Sequence, residues 1–178
     1  AIGMLLSLFN HLNRADREVR NGLWRREENR GRELKGLTVG ILGYGYMGAA
    51  FAQRLQGFGV KVIAYDKYKK NFGNAQVQEV SEADLFEETD VLSIHLPLTQ
   101  ETNYLIDGNY LNNFSKPIYL INTARGKNLN TAKLIEAMDA GKVLGACLDV
   151  LEFESTSFEH IATDELPPAL KDLISREK

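Results

Sequence analysis

"LTVGILGYGYMG", residues 37–48, decides the reading of this chain. Leu37 to Leu42 form an apolar run of strand length, and three glycines follow at 43, 45 and 48. Residues 47–58 then place Ala49, Phe51, Ala52 and Leu55 at helical spacing. The order is strand, glycine loop, helix. The spacing Gly43-x-Gly45-x-x-Gly48 is a weak signal alone, but between a strand and a helix it stands where a dinucleotide-binding turn needs it. Gly43 permits the tight turn, Gly45 lets the backbone approach a pyrophosphate, and Gly48 lets the helix pack closely on the strand. The N–H groups of Tyr46 and Met47 would then face phosphates at a helix start.

Downstream, "VKVIAY" (60–65) reads as a second strand and ends at Asp66. An acid about 20 residues past the glycine turn can accept hydrogen bonds from an adenosine ribose. It also repels a 2′-phosphate, which favours NAD over NADP, although the adjacent Lys67 weakens that preference. "VLSIHL" (91–96), "IYLI" (118–121) and "GACLDV" (145–150) are further strands, and "AQVQEV" (75–80) is a short additional one. Helices are expected at 81–88, in two short pieces around 101–113, and at 131–140. This alternation predicts an α/β fold: a Rossmann-type, doubly wound parallel sheet in a single domain, with helices on both faces. The continuous apolar strands fit a sheet covered on both sides. After Val150 the periodicity fades, with one short helix expected in "LPPALKDLISREK".

Upstream, residues 1–21 read as one long helix, apolar nearly all round in its first half (Met4, Leu5, Leu8, Phe9, Leu12). Burial on more than one side implies packing between two domains or two subunits. The apolar run is too short to span a bilayer and lacks the flanks of a signal peptide. The chain is expected to start partway along a helix, as a piece of a longer protein. Residues 23–36 interleave Arg with Trp24, but Glu27, Glu28 and Glu33 neutralise the charge, so the segment reads as a connecting arm rather than a nucleic-acid patch.

The 178 residues suit one domain, and 44% hydrophobic with 25% charged residues suits a soluble one. A net charge of −3 gives no bulk attraction to nucleic acid or anionic membrane. The single cysteine, Cys147, excludes an intramolecular disulfide and any Cys/His zinc spacing, and fits a cytoplasmic setting; no metal site is expected.

In an open parallel sheet, ligands sit outside the carboxyl ends of the strands. Three more strand ends carry candidate groups: His95-Leu96-Pro97; Asn122-Thr123-Ala124-Arg125-Gly126; and Asp149, followed by Glu152 and Glu154. Arg125 is a rigid fork of donors suited to a carboxylate or phosphate.

With these stretches in view the chain resembles the D-2-hydroxyacid dehydrogenase family, which includes D-3-phosphoglycerate, glyoxylate and D-lactate dehydrogenases. The likeness lies in "ELKGLTVGILGYGYMG", "HLPLTQETNYLI", "INTARGKNLN" and "GACLDVLEFE", most of residues 33–154. It implies a nicotinamide-binding domain over residues 1–154, with 155–178 as the start of a return segment and the substrate domain absent. It implies NAD as cofactor and a 2-hydroxy or 2-oxo acid as substrate. By the resemblance Arg125 matches the catalytic arginine, and Glu154 the acid paired with a catalytic histidine. Asp149 matches the residue receiving the nicotinamide carboxamide, and Thr123 and Ala124 match backbone contacts near it. Tyr46, Met47 and Asp66 match the pyrophosphate and ribose contacts, and His95 and Pro97 line the adenine side. The opening helix and "NGLW" resemble the family's interdomain helix and arm, which contribute to a homodimer.

Two departures qualify the match. The family's "TPH" histidine has no counterpart; of His11, His95 and His160, the last is nearest Glu154 in sequence but reads as a surface or packing residue. Ser155 follows Glu154 where the family has proline. The expectation is a chain that binds dinucleotide without turning over substrate. A second reading is an NAD-sensing regulator, like the family's corepressor relatives. A third, a cofactor domain like that of S-adenosylhomocysteine hydrolase, is opposed by "NTARGK" and "LDVLEFE".

Overall fold

Five short apolar runs and the polar pair Gln78-Glu79 become the strands of one sheet in a computed structural model, which describes residues 1–154 and 166–176. The strands are β1 (Thr38–Leu42), β2 (Lys61–Tyr65), β3 (Gln78–Glu79), β4 (Val91–Ile94), β5 (Ile118–Asn122) and β6 (Val143–Leu148). They run parallel in the order β3-β2-β1-β4-β5-β6. The chain builds outward from β1 to β3, then restarts beside β1 and builds the other way. That reversal leaves a crevice between β1 and β4. Val39, Ile41, Val91, Leu92, Ile94, Leu120 and Ile121 are fully buried, as a sheet covered on both faces requires.

Helices α1 (Ile2–Phe9), α2 (Leu12–Arg20), α3 (Tyr46–Arg54), α4 (Glu82–Glu88), α5 (Gly108–Asn112), α6 (Thr131–Asp139) and α7 (Pro168–Ser175) complete the described residues. One core holds Leu5 and Phe9 of α1 and Phe51 and Ala52 of α3 against the sheet. The opposite core holds Leu85, Leu111, Phe114 and Leu134 from α4, the α5 region and α6. Polar side chains fix where three helices start. Ser81 and Asp84 form a reciprocal capping box on α4, Asp107 caps α5, and Asn130 caps α6. The expected short helix in the last stretch is α7.

The opening segment corrects the expectation of one long helix. It breaks at Asn10-His11, where His11 adopts a left-handed conformation (φ 51°) and the Asn10 amide donates to the Leu6 carbonyl. Asn at such a position ends a helix by satisfying its last carbonyls. The apolar half, α1, packs on its own sheet: Phe9 lies 4.4 Å from the Tyr119 ring, centroid to centroid. The polar half, α2, buries no residue. Two arginines of the arm form ion pairs, Arg25 with Glu18 and Arg30 with Glu27. A second difference lies at 101–107, expected to be helical. There Tyr104 adopts a left-handed conformation (φ 54°), and the N–H groups of Tyr104 and Ile106 donate across to the Lys127 (2.7 Å) and Asn128 (3.0 Å) carbonyls instead of into a helical turn.

Candidate functional site

Strand registers carry the site. Leu42 pairs with Tyr65 and with Ile94, Ile94 with Asn122, and Asn122 with Leu148. Those five residues form one row across the sheet. The next residues in the chain are Gly43, Asp66, His95, Thr123 and Asp149. All five expected contacts therefore leave the same edge, across four strand spacings, or about 19 Å.

At the crevice, Gly43 takes φ 92°, and a Cβ added there would lie 2.7 Å from the His95 carbonyl oxygen. A Cβ on Gly48 would lie 2.2 Å from the Gly43 carbonyl oxygen, so the turn and α3 pack backbone to backbone. Gly45 differs: a Cβ there meets nothing within 4 Å. The backbone at Gly45 is bare on the side where a ligand can approach. Gly45 is also the N-cap of α3 and has no side chain to occupy the first N–H groups. Tyr46 and Met47 hold their side chains outward, 98% and 71% exposed.

Gly43, Gly45, Asp66, His95 and Pro97 line one cleft of about 630 Å³. Asp66 shapes the cleft as well as facing it. Its carboxylate accepts from the N–H groups of Tyr44 (2.8 Å), Tyr68 (2.9 Å) and Lys69 (2.8 Å). Partial burial pushes its pKa up, but those three N–H groups and the Lys69 ammonium outweigh burial and hold it below the ordinary value.

His95 is a wall rather than a base. Its ring sits 5.3 Å from the Phe51 ring, and Nε2 is 2.9 Å from the Ser93 hydroxyl. Burial, then the charge of the N-terminus, push its pKa down to about 4 from 6.5. The unfolded chain thus takes up this proton at higher pH than the folded one. The contribution of His95 to stability is full above about pH 6.5 and falls as the pH drops toward 4. Thermal midpoints at pH 7.5 and 4.5 are expected to differ less in His95→Gln than in the unaltered chain.

The β5 end sets an arginine beside a glycine. Asn122, fully buried, donates to the Arg125 carbonyl (3.0 Å) and accepts from the Ala124 N–H (3.1 Å). It folds Thr123 and Ala124 into a turn that presents Arg125 at the surface. The Arg125 guanidinium donates to the Ala124 carbonyl (2.7 Å) and makes no ion pair among the described residues. Gly126 is packed under the next loop: a Cβ there would lie 1.9 Å from the Leu151 carbonyl oxygen. That contact sets the 149–154 loop against the arginine turn. Asp149 N–H donates to the Asn122 carbonyl (3.0 Å), and the Glu154 carboxylate accepts from the Leu151 N–H (2.7 Å). Replacing Asn122 by Leu leaves the buried Ala124 N–H without its acceptor and is expected to cost about 2 kcal/mol in denaturant unfolding.

Asn122 and Gly126 escape a motif reading because their partners are backbone atoms distant in sequence or hidden in a turn. Arg125, Asp149 and Glu154 share the far end of the edge and do not line the 630 Å³ cleft. Among the described residues no group of His, Cys, Asp and Glu could hold a metal ion. His11 sits at the α1–α2 break, and His160 lies outside the described residues, as do the family's proline position 155 and most of the expected return segment.

The family described as D-isomer specific 2-hydroxyacid dehydrogenase, NAD binding domain, matches residues 2–173. The chain belongs to this family. It is 38% identical over 169 residues to a glyoxylate reductase of Thermofilum pendens, a match covering 91% of this chain and 50% of that protein. It is 36% identical over 159 residues to a hydroxypyruvate reductase of Thermotoga maritima, covering 89% of this chain and 52% of the relative. The NAD-complexed D-isomer specific 2-hydroxyacid dehydrogenase of Lactobacillus delbrueckii ssp. bulgaricus superposes with a TM-score of 0.85 at 30% identity, over 99% of this chain and 56% of that one. The chain thus spans about half the length of the curated relatives it matches. The six-stranded parallel sheet is the NAD-binding domain of this family of oxidoreductases.

Proposed function

We propose that this chain binds NAD along the carboxyl edge of its sheet and supplies the cofactor half of an enzyme that interconverts a D-2-hydroxy acid and its 2-oxo acid. The observation that carries the reading is the single row from which Gly43, Asp66, His95, Thr123 and Asp149 all emerge. Its length suits an extended dinucleotide. The bare Gly45 backbone and the uncapped start of α3 fit a pyrophosphate, with the Tyr46 and Met47 N–H groups as donors. Asp66 faces the adenosine ribose, with His95 and Pro97 as the wall beside adenine. Thr123, Ala124 and Asp149 stand at the nicotinamide end.

Bound NADH supplies the hydride; the protein supplies position and charge. Arg125, surface-presented and outside any ion pair among the described residues, anchors the substrate carboxylate and polarises its carbonyl through two parallel N–H bonds. Glu154 stabilises the protonated form of an imidazole that delivers a proton to the forming alkoxide. No helix among the described residues is long and apolar enough to cross a membrane; the proposal places the protein in the cytoplasm. A homodimer is part of the same proposal, formed through the exposed Leu12, Val19, Leu23 and Trp24 of α2 and the arm.

Assays of glyoxylate, hydroxypyruvate and pyruvate with NADH, on the protein carrying this domain, test the reaction. Turnover of at least one 2-oxo acid is expected. NADH binding without turnover of any would contradict the enzyme and leave an NAD-responsive regulator.

A further inference from the structure

The sequence "DKYKK", residues 66–70, puts three lysines beside the acid that faces the ribose. A free ammonium there would attract a 2′-phosphate and undo the preference for NAD that Asp66 confers. The structure disposes of each lysine. Lys69 Nζ donates to the Tyr44 carbonyl (3.2 Å) and lies 5.1 Å from the centre of the Tyr44 ring. Lys70 Nζ donates to the Asp66 carbonyl (2.9 Å) and lies 5.5 Å from the Tyr65 ring. Lys67 is the one of the three in an ion pair among the described residues: its Nζ pairs with Glu101, from the loop after β4. The Tyr68 hydroxyl donates to the other oxygen of the same carboxylate. Lys67, Tyr68 and Glu101 all line the cleft that holds Gly43, Gly45 and Asp66. The bonds to Lys67 and then to Tyr68 hold the Glu101 pKa below its ordinary value, so the carboxylate stays charged at neutral pH.

We propose that Glu101 is a specificity-determining residue. Its carboxylate neutralises Lys67 and ties Lys67 and Tyr68 across the ribose end of the cleft, which keeps a dinucleotide bearing a 2′-phosphate out. The assignment rests on the dinucleotide reading above. Glu101 is a further carboxylate in the cleft that Asp66 and Glu82 also line, contributed 35 residues along the chain from Asp66, and its charge is spent on Lys67. An exposed ion pair adds little to stability, so removing the Glu101 charge is expected to leave the fold in place. Lys67 is 60% exposed, so once released its ammonium can swing to a phosphate without disturbing the core.

The test is a fluorescence titration of the 178-residue chain and its Glu101→Gln variant with NADH and, separately, NADPH. Glutamine keeps the size and an acceptor for Tyr68 while removing the charge. The unaltered chain is expected to bind NADH in preference to NADPH. Glu101→Gln is expected to shift the NADPH-to-NADH affinity ratio toward NADPH by about tenfold, the scale of one charge-assisted contact. The gain should shrink in about 0.5 M salt, where exposed charges are screened. It should vanish in the double variant Lys67→Met/Glu101→Gln. An unchanged ratio, or an equal loss of both ligands, would overturn the assignment while leaving NADH binding standing. Binding of neither ligand by the unaltered chain would overturn the dinucleotide reading and this assignment with it.

Discussion

Gly45→Val is expected to leave the fold intact and to weaken NADH binding on the order of a hundredfold. The two halves of that expectation have different causes. Gly45 has φ −80°, a conformation open to any residue, and a Cβ there meets nothing within 4 Å. Valine therefore costs the folded protein little, and the thermal midpoint should move by less than about 2 °C. The open space is the space a pyrophosphate needs against the first N–H groups of α3. Branched methyl groups in it push the phosphates off those donors. Gly48→Val is the contrasting variant: its Cβ falls 2.2 Å from the Gly43 carbonyl oxygen, so fold and binding should fail together. If Gly45→Val bound NADH like the unaltered chain, the pyrophosphate would have to lie elsewhere.

Gly126→Ala should show the largest loss of stability from one added methyl. Its Cβ would lie 1.9 Å from the Leu151 carbonyl oxygen and 2.7 Å from the Glu152 N, both backbone atoms. Neither can rotate away, so the 149–154 loop must lift off the arginine turn. Overpacking of this kind lies at or above the upper end of the usual range, about 3–4 kcal/mol, or roughly 10 °C in thermal midpoint for a chain of this size. Gly57→Ala is the control, because its Cβ meets nothing and its φ is ordinary; no more than about 1 kcal/mol in either direction is expected there. Equal midpoints for Gly126→Ala and Gly57→Ala would show that the loop does not rest on Gly126. The contact accounts for the residues at this strand end: arginine faces outward, and glycine admits the loop that carries Asp149 and Glu154.

The sheet was legible because buried parallel strands are written as unbroken apolar runs, from "VGIL" to "GACL". The glycine loop and Asp66 were legible because their spacing reflects a local unit of strand, turn and helix. The opening helix misled because hydrophobic periodicity does not register one left-handed residue, His11, within it. The stretch 101–107 misled because Tyr104 turns left-handed and Tyr104 and Ile106 give their N–H groups to the carbonyls of Lys127 and Asn128, partners distant in sequence that a helical pattern does not reveal. Lys67 was visible, but Glu101 was not, since nothing in either segment says that the loops face each other. Asn122 and Gly126 were hidden for a related reason. Their partners are backbone atoms, which carry no residue code.

A titration of the 178-residue chain with NADH, followed by the change in nicotinamide fluorescence, shows whether the carboxyl edge of this sheet holds NAD. Saturable binding at one site per chain is expected, weakened on the order of a hundredfold in Gly45→Val while the thermal midpoint stays in place. A linear, unsaturable signal from a folded chain would contradict NAD binding there.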